Sequence, residues 1–452
     1  MKTHHLYKIF LTTLITLASA ITGCKKFVTV NELSDNLLAS QVFNNESTAN
    51  SAIAGIYETM QLNTQQSSDI TILTGLSGDE LKTYDGAFNI NYSNDAILSN
   101  DGALPWSELY NVIYQCNAAI EGLNQSILPA PVKNQLLGEA TFLRAYNYFY
   151  LVNLFGDVPL ITSTNVNVTA RAARTPVANV YQSIIQDLLR AQDLLGTTNN
   201  YANGEKTRAT KWVATALLSR VYLYQKDWVN ASKYSGDIIA SNTFTLDPNL
   251  SDVFNKNSSE SILQLENNPT LVIAEAQDFI YQTSPIIVCT DSLINSFENG
   301  DQRKTQWIQS MVYSGATVYY PFKYTSINPN PPQYYTLFRL AEQYLIRAEA
   351  YAQQNMLPAA IADLNLIRQR AGLNPLASSL SQAGCLAAIQ HERRVELFAE
   401  VGHRWFDLKR TGTIDTVMNT EKPGIWKPNA ALWPIPLADI HADVNLTQNP
   451  GY

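Results

Sequence analysis

Apolar positions along the chain change period several times, and the changes mark its parts. Ala49, Ala52, Ile53, Ile56, Tyr57 and Met60 recur at the three- and four-residue spacing that places them on one helix face. Asn44 or Asn45 can cap the start of that helix. Residues about 64–105 lose the period. Ser, Asn, Asp and Gly dominate, with Tyr84, Phe88 and Tyr92 scattered among them, and a long irregular segment is predicted. Loops of such length are uncommon in compact domains and are often functional. Helical spacing returns at Trp106 and runs to about Leu123. Over 133–155, Leu136, Ala140, Leu143, Asn147 and Leu151 share one face, surrounded by Phe142, Tyr146, Tyr148, Phe149, Tyr150 and Phe155. That pattern predicts a helix buried on several sides, stopped by Gly156-Asp157-Val158-Pro159. Another helix is expected over about 176–195, with Pro176 in its first turn.

A spacing then repeats. Ser219, Tyr222, Ala231 and Ile238 are matched, interval for interval, by Ala348, Tyr351, Ala360 and Ile367. This resembles the small–aromatic–small pattern of tetratricopeptide helix pairs, in which small residues sit where two helices cross closely. The copies are far apart in sequence, so no continuous array is expected. Between them, residues 245–335 break the helical pattern. Proline and asparagine are frequent, Ile262-Leu263-Gln264-Leu265 and Ile286-Ile287-Val288 are β-prone, and aromatics are dense (Trp307, Tyr313, Tyr319, Tyr320, Phe322, Tyr324).

The first residues read as a processing segment. Lys2 and Lys8 precede an apolar run, Ile9 to Ile21, that is too short to span a bilayer. It ends in Ile21-Thr22-Gly23-Cys24, which resembles a lipobox, with Cys24 as the lipidated residue. Residues 1–23 are then a lipoprotein signal peptide and 24–40 a tether. No later stretch approaches a membrane span. Net charge is −8, which argues against nucleic acid or anionic lipid as the main partner. Charged residues make up only 15% of the chain, so Asn, Gln, Ser and Thr supply the polar surface, as suits neutral polar ligands. Cys116, Cys289 and Cys385 show no metal-ligand spacing and read as small core residues.

Taken in order, the blocks resemble the SusD/RagB family. Val42-Phe43 through Gly55-Ile56-Tyr57 matches its first helix. Glu139 through Tyr146 and on to Leu154-Phe155-Gly156-Asp157-Val158-Pro159-Leu160 matches its N-terminal block. Arg339-Leu340-Ala341-Glu342 through Tyr351 matches the central one. Glu392-Arg393-Arg394, Gly402 to Arg410, Trp433-Pro434-Ile435-Pro436 and Asn445 to Tyr452 follow. One block departs: Lys25-Lys26-Phe27 stand where many members carry acidic residues that act as a surface-export signal. This bears on which membrane face is reached, and leaves lipidation untouched.

The densest charge cluster is Glu392 to Arg410. Glu392, Glu396 and Glu400 lie at i, i+4 and i+8, with Arg393, Arg394, Arg404 and Arg410 interleaved. The cluster reads as an ion-pair network locking the last helix pairs, because arginine stays charged when partly buried and pairs with carboxylates two-handedly. His403, next to Trp405, reads as a packed side chain. Asp79-Glu80 and Asp95 have no acid placed opposite them, as glycoside hydrolysis would need. Nucleophile-elbow, phosphate-loop and zinc motifs are missing from the sequence. The aromatic loops are the better binding candidates, since an exposed ring presents a flat face to a sugar while neighbouring amides bond its hydroxyls. The candidates are Tyr84, Asn89, Tyr92 and Asn94, with Trp307, Tyr313, Tyr319 and Tyr320.

The fold expected is mainly α, with tetratricopeptide-like helix pairs as a scaffold, a loop-rich irregular ligand-binding face and a few short strands. It divides into a helical region over 41–245, an irregular aromatic-rich region over 246–335 and a helical region over 336–452, together one compact domain. The resemblance implies a surface-exposed, lipid-anchored outer-membrane protein that captures an oligosaccharide and delivers it to a SusC-like TonB-dependent transporter. It implies no catalysis, and no cofactor or metal is expected. A secreted helical glycoside hydrolase and a tetratricopeptide scaffold that binds no solute are the two alternatives. Turnover of a glycan would select the first, and co-purification with the transporter without ligand binding would select the second.

Overall fold

The computed structural model describes residues 39–64, 69–84, 89–196, 204–267, 270–280, 284–328 and 332–452. Cys24, the signal segment and most of the predicted tether lie outside them. After a short α1 (Ala39–Phe43), Asn45 starts the first long helix, α2 (Glu46–Thr64). Its side-chain carbonyl accepts hydrogen bonds from the Ser47 and Thr48 amides at 2.9 and 3.3 Å. Ala49, Ile53, Ile56, Tyr57 and Met60 are buried, as their spacing requires.

The segment read as irregular is more ordered than its composition suggests. It contains α3 (Ile70–Ser77), β1 (Leu81–Thr83) and α4 (Ile90–Ser93). The Asp69 side chain caps α3 by accepting from the Ile72 amide. Helix α3 is too short for a periodic signal, and nearly all of it is buried, which removes the polar face that periodicity depends on.

Helices α5 (Trp106–Asn124) and α6 (Ala130–Phe155) form an antiparallel pair, and α6 is the central element. Almost every residue from Leu136 to Phe155 is buried, because both α5 and a following helix pack along it. Its polar residues are satisfied internally. Glu139 accepts from Arg208 and from the Tyr57 hydroxyl, and Arg144 grips Asp187 through two bonds of 2.8 and 2.7 Å. Strands β2 (Val158–Pro159) and β3 (Arg174–Thr175) pair around α7 (Val166–Thr169), and α8 (Val177–Leu195) follows Pro176.

The two repeat copies are the helix pairs α9 (Lys211–Tyr224) with α10 (Trp228–Ala240), and a later pair in the last third of the chain. Between them lie β4 (Ser261–Leu265), α11 (Ala274–Phe279), β5 (Ile287–Cys289), α12 (Asp291–Ser296), α13 (Gln302–Gln306), β6 (Ile308–Tyr313), β7 (Ala316–Pro321) and β8 (Tyr335–Arg339). The later pair is α14 (Leu340–Gln353) and α15 (Leu357–Arg370). Ser219, Ala231, Ile238, Ala348, Ala360 and Ile367 are all fully buried where helices cross. The copies are not isolated from each other. Helix α10 packs directly on α14, so the scaffold is continuous in space although the sequence interrupts it.

The chain closes with α16 (Gln382–Leu397), α17 (His403–Thr411), α18 (Ile414–Glu421) and α19 (Leu437–Ala442). The strands form two-stranded antiparallel ladders, β1 with β5, β2 with β3, β4 with β8 and β6 with β7. One hydrophobic core runs from Phe43 to Leu446, with a second, smaller cluster around α14, α15 and α16. Cys116, Cys289 and Cys385 are buried free thiols.

Candidate functional site

Tyr84 is held at the end of a short ladder. Leu81, Lys82 and Thr83 pair with Cys289, Val288 and Ile287, and the Tyr84 amide donates to the Ile286 carbonyl at 2.8 Å. The Thr290 hydroxyl donates to the Asp79 carbonyl at 2.6 Å, which fixes the other end. Tyr313 comes from a different construction. Strands β6 and β7 join through Ser314 and Gly315, whose φ of 49° and 79° give the tight turn that matches strand twist. The hairpin places the Tyr313 ring 5.6 Å from that of Tyr84, edge to face. Beside the pair lies a cleft of about 420 Å³, within the range of small-molecule sites. Tyr84 and Asn94 line it, together with Lys82, Asp291 and Lys422.

The other sequence candidates divide. Register puts Tyr313 and Tyr320 on one face of the hairpin and Tyr319 on the other, because paired residues share a face and alternate along a strand. Tyr319 and Tyr320 are both half-buried. Asn89 is half-exposed, with a left-handed φ of 48° at the start of α4, and does not line the cleft. Tyr92 and Trp307 are corrections. Tyr92 is fully buried, edge-on to Trp433 at 5.2 Å. Trp307 is 1% exposed, and its indole donates to the Leu250 carbonyl at 2.9 Å while Phe254 and Phe398 pack on its ring. Neither offers a face to a ligand. Both stand in polar, loop-like sequence, yet each ring packs against rings from elements distant in the chain.

The cleft is electrically balanced. Lys82 and Asp291 pair at 3.4 Å at its mouth, and Lys422 pairs with Asp95 at 3.1 Å on its floor. Lys422 also donates to the carbonyls of Leu76, Ser77 and Tyr92. Glu421 accepts from the Ser292 hydroxyl. Lys82, Asp291 and Lys422 are not among the sequence candidates, since a lone lysine or aspartate carries no sequence signal of where it will sit.

Asp79, in the wall of the cleft, and the adjoining Glu80 behave oppositely. Burial alone would raise the Asp79 carboxyl, but the Arg404 and Arg394 guanidiniums hold it below its ordinary value. Burial and the Asp79 charge push Glu80 up to about 8; one oxygen accepts from the Ala399 amide and the other has no partner. Asp79 is thus committed to two arginines, and Glu80 is buried and does not line the cleft.

The Glu392–Glu396–Glu400 face is an ion-pair network, with partners other than those the sequence suggested. Arg303 from α13 bonds Glu392 and Glu396 at 2.5 and 2.9 Å, and Arg339 from β8 bonds Glu260, Glu396 and Glu400 at 2.8, 2.5 and 2.8 Å. Arg370 joins Glu260 and Glu396, and Lys323 joins Glu400. Of the interleaved arginines, Arg393 and Arg410 share Asp407, while Arg394 and Arg404 share Asp79. The network therefore ties the irregular region and β8 to α16, not only the last helices to one another. His403 is buried, and desolvation with the nearby Arg220 and Arg393 charges keeps its imidazole neutral. Among the described residues, no group of three or more His, Cys, Asp or Glu side chains is arranged to hold a metal ion.

A family model described as "Starch-binding associating with outer membrane" matches residues 26–223, and one described as "SusD family" matches residues 297–452. SusD-like protein P25 of Formosa agariphila is 25% identical, over 77% of this chain and 79% of its own. Starch-binding protein SusD of Bacteroides thetaiotaomicron is 23% identical, over 70% and 72%. A solved structure titled "Laminarin binding SusD-like protein" superposes with a TM-score of 0.76 at 25% identity, over 91% of this chain and all of that one. A SusD superfamily protein from Bacteroides vulgatus gives 0.78 at 20% identity, over 91% and 100%.

Proposed function

The chain belongs to the SusD/RagB family, and on that premise we propose that it captures a neutral oligosaccharide and delivers it to a SusC-like TonB-dependent transporter of the outer membrane, without transforming it. Anchoring would be through lipid on Cys24. No helix among the described residues is long and apolar enough to cross a membrane.

One observation carries the reading. Two aromatic rings from segments far apart in sequence, Tyr84 and Tyr313, meet beside a cleft of about 420 Å³. Convergent rings next to amide and hydroxyl groups fit sugar recognition, where apolar C–H faces lie on rings and hydroxyls bond polar side chains. Internal pairing of Lys82 with Asp291 and Lys422 with Asp95 favours an uncharged chain. The relatives named for binding starch and laminarin support the same ligand class. Binding would rest on stacking and exposed hydrogen bonds, so affinity is modest and release to a partner is easy.

Calorimetric titration of the mature protein with laminarin and soluble starch tests the reading. Tyr84→Ala is expected to weaken binding about tenfold, equivalent to about 1.4 kcal/mol. Unchanged binding by Tyr84→Ala, or release of reducing ends from either glycan by the wild type, would overturn it.

A further inference from the structure

We propose that the outer face of α5 is a second oligosaccharide-contact subsite, centred on Tyr114, which engages the distal part of a chain already held at Tyr84 and Tyr313. The inference rests on the binding reading above and adds a second surface to it.

Trp106, Tyr110 and Tyr114 recur every fourth residue, so successive turns of α5 present them along one side. They run from core to solvent: Trp106 is buried, Tyr110 is half-buried and Tyr114 is 57% exposed. The first two rings are in contact, with centroids 4.9 Å apart. The Tyr110 hydroxyl donates to the Pro159 carbonyl at 2.8 Å, which fixes the middle ring. An exposed tyrosine is ordinary on a surface, but this one borders a cleft of about 470 Å³, larger than the one beside Tyr84.

The remaining walls have the chemistry that recognises sugar hydroxyls. Ser107 and Asn111 lie exposed beside the rings, and Asp439 and Asp443 stand on the facing wall formed by α19 and the chain after it. Asp439 is held in place by a hydrogen bond with Trp106. Carboxylates accept from neutral hydroxyls strongly and repel carboxylated or sulfated sugars. The α5 cleft therefore disfavours anionic sugars and accommodates the neutral class proposed for the cleft at Tyr84.

The elements that line the two clefts are joined through a run of packed rings. Tyr92, whose carbonyl accepts from Lys422 on the floor of the first cleft, touches Trp433. Trp433 touches Phe155, and Phe155 touches Trp106 at the head of α5, at centroid distances of 6.3 and 5.0 Å. At the surface, Leu98 and Leu437 are 57% and 39% exposed, and the Leu437 amide donates to the Ser99 carbonyl at 2.7 Å, joining the two segments that carry them. Exposed apolar side chains joined in this way give a chain a surface to rest on without stripping unpaired polar groups of water.

The test compares chain lengths. Titrations use laminarin and laminaritriose, soluble starch and maltotriose, with wild type, Tyr114→Ala and Tyr84→Ala. Tyr114 is exposed, so its truncation leaves the fold intact, and circular dichroism checks this. Tyr114→Ala is expected to weaken polymer binding about fivefold or more while trisaccharide binding stays within about twofold; Tyr84→Ala weakens both. Polymer binding unchanged by Tyr114→Ala, or equal losses for polymer and trisaccharide, would overturn the second subsite and leave the first standing. Absence of binding by the wild type to all four glycans would overturn both.

Discussion

Buried acids in this protein fall into two kinds, decided by whether a cation reaches them. Glu396 meets Arg303, Arg339 and Arg370, and although burial alone would raise its carboxyl, their charges hold it far below the usual range. Glu80 is equally buried, meets a backbone amide and lies beside the charged Asp79, and its pKa rises from 4.5 to about 8. Between those two values the folded state binds a proton at Glu80 that the unfolded chain does not, so this residue lowers stability progressively as pH rises from 4.5 to 8. Glu80→Gln keeps an acceptor for the Ala399 amide and removes the titration. Its stability gain over wild type in urea unfolding is expected to be small at pH 5 and to grow by roughly a few kcal/mol at pH 8. A gain that does not change with pH would show that Glu80 is not the proton-binding group. Glu396, with its folded pKa depressed, behaves conversely: its contribution is present above the ordinary carboxylate range and is lost only in stronger acid.

At the scale of elements, close approach matters more than propensity. Gly138 lies inside α6, where alanine would ordinarily favour the helix by about 1 kcal/mol. A β-carbon there would stand 2.6 Å from Leu195 Cγ and 2.9 Å from Leu195 Cδ2, at the end of α8. Gly138→Ala is therefore expected to destabilise by about 1–3 kcal/mol, the cost of overpacking, and to lower the melting temperature. A rise in melting temperature would show that Leu195 yields and that propensity governs. The same contrast explains the misread stretch over 64–105. Asp69 caps α3 locally, through the Ile72 amide, but Thr290, which clamps the segment before β1, is supplied by a fold contact that no local window contains.

Across the whole molecule, the two repeat copies act as one scaffold through a buried seam. Arg220 on α9 bonds Glu342 on α14 at 2.6 and 2.8 Å and also donates to the Leu337 carbonyl, and Ser219 donates to Gln343. Both charges are about 1% exposed. Arg220→Met leaves Glu342 buried without a partner and is expected to cost about 3–5 kcal/mol. Replacing both, with Arg220→Met and Glu342→Leu together, is expected to recover most of that loss, since two apolar side chains carry no desolvation cost. Denaturant titration of the three variants checks this. A double variant no better than the single one would mean that the Arg220 bonds to the surrounding backbone, not its charge pairing, hold the seam.

Sequence alone determined the helices that have both a buried and an exposed face, a cap at Asn44 or Asn45, the small residues at helix crossings, the family and the existence of a charged lock on α16. Each depends on spacing along a single segment or on residues kept in order, and both survive in a linear text. Tertiary structure decided which rings are usable: it drew Tyr84 and Tyr313 together, sank Tyr92 and Trp307, and supplied Arg303, Arg339 and Arg370 as partners for glutamates that seemed to have nearer ones. An aromatic or a charge is equally at home in a core or on a surface, and only the packing of distant elements fixes which of its faces meets water.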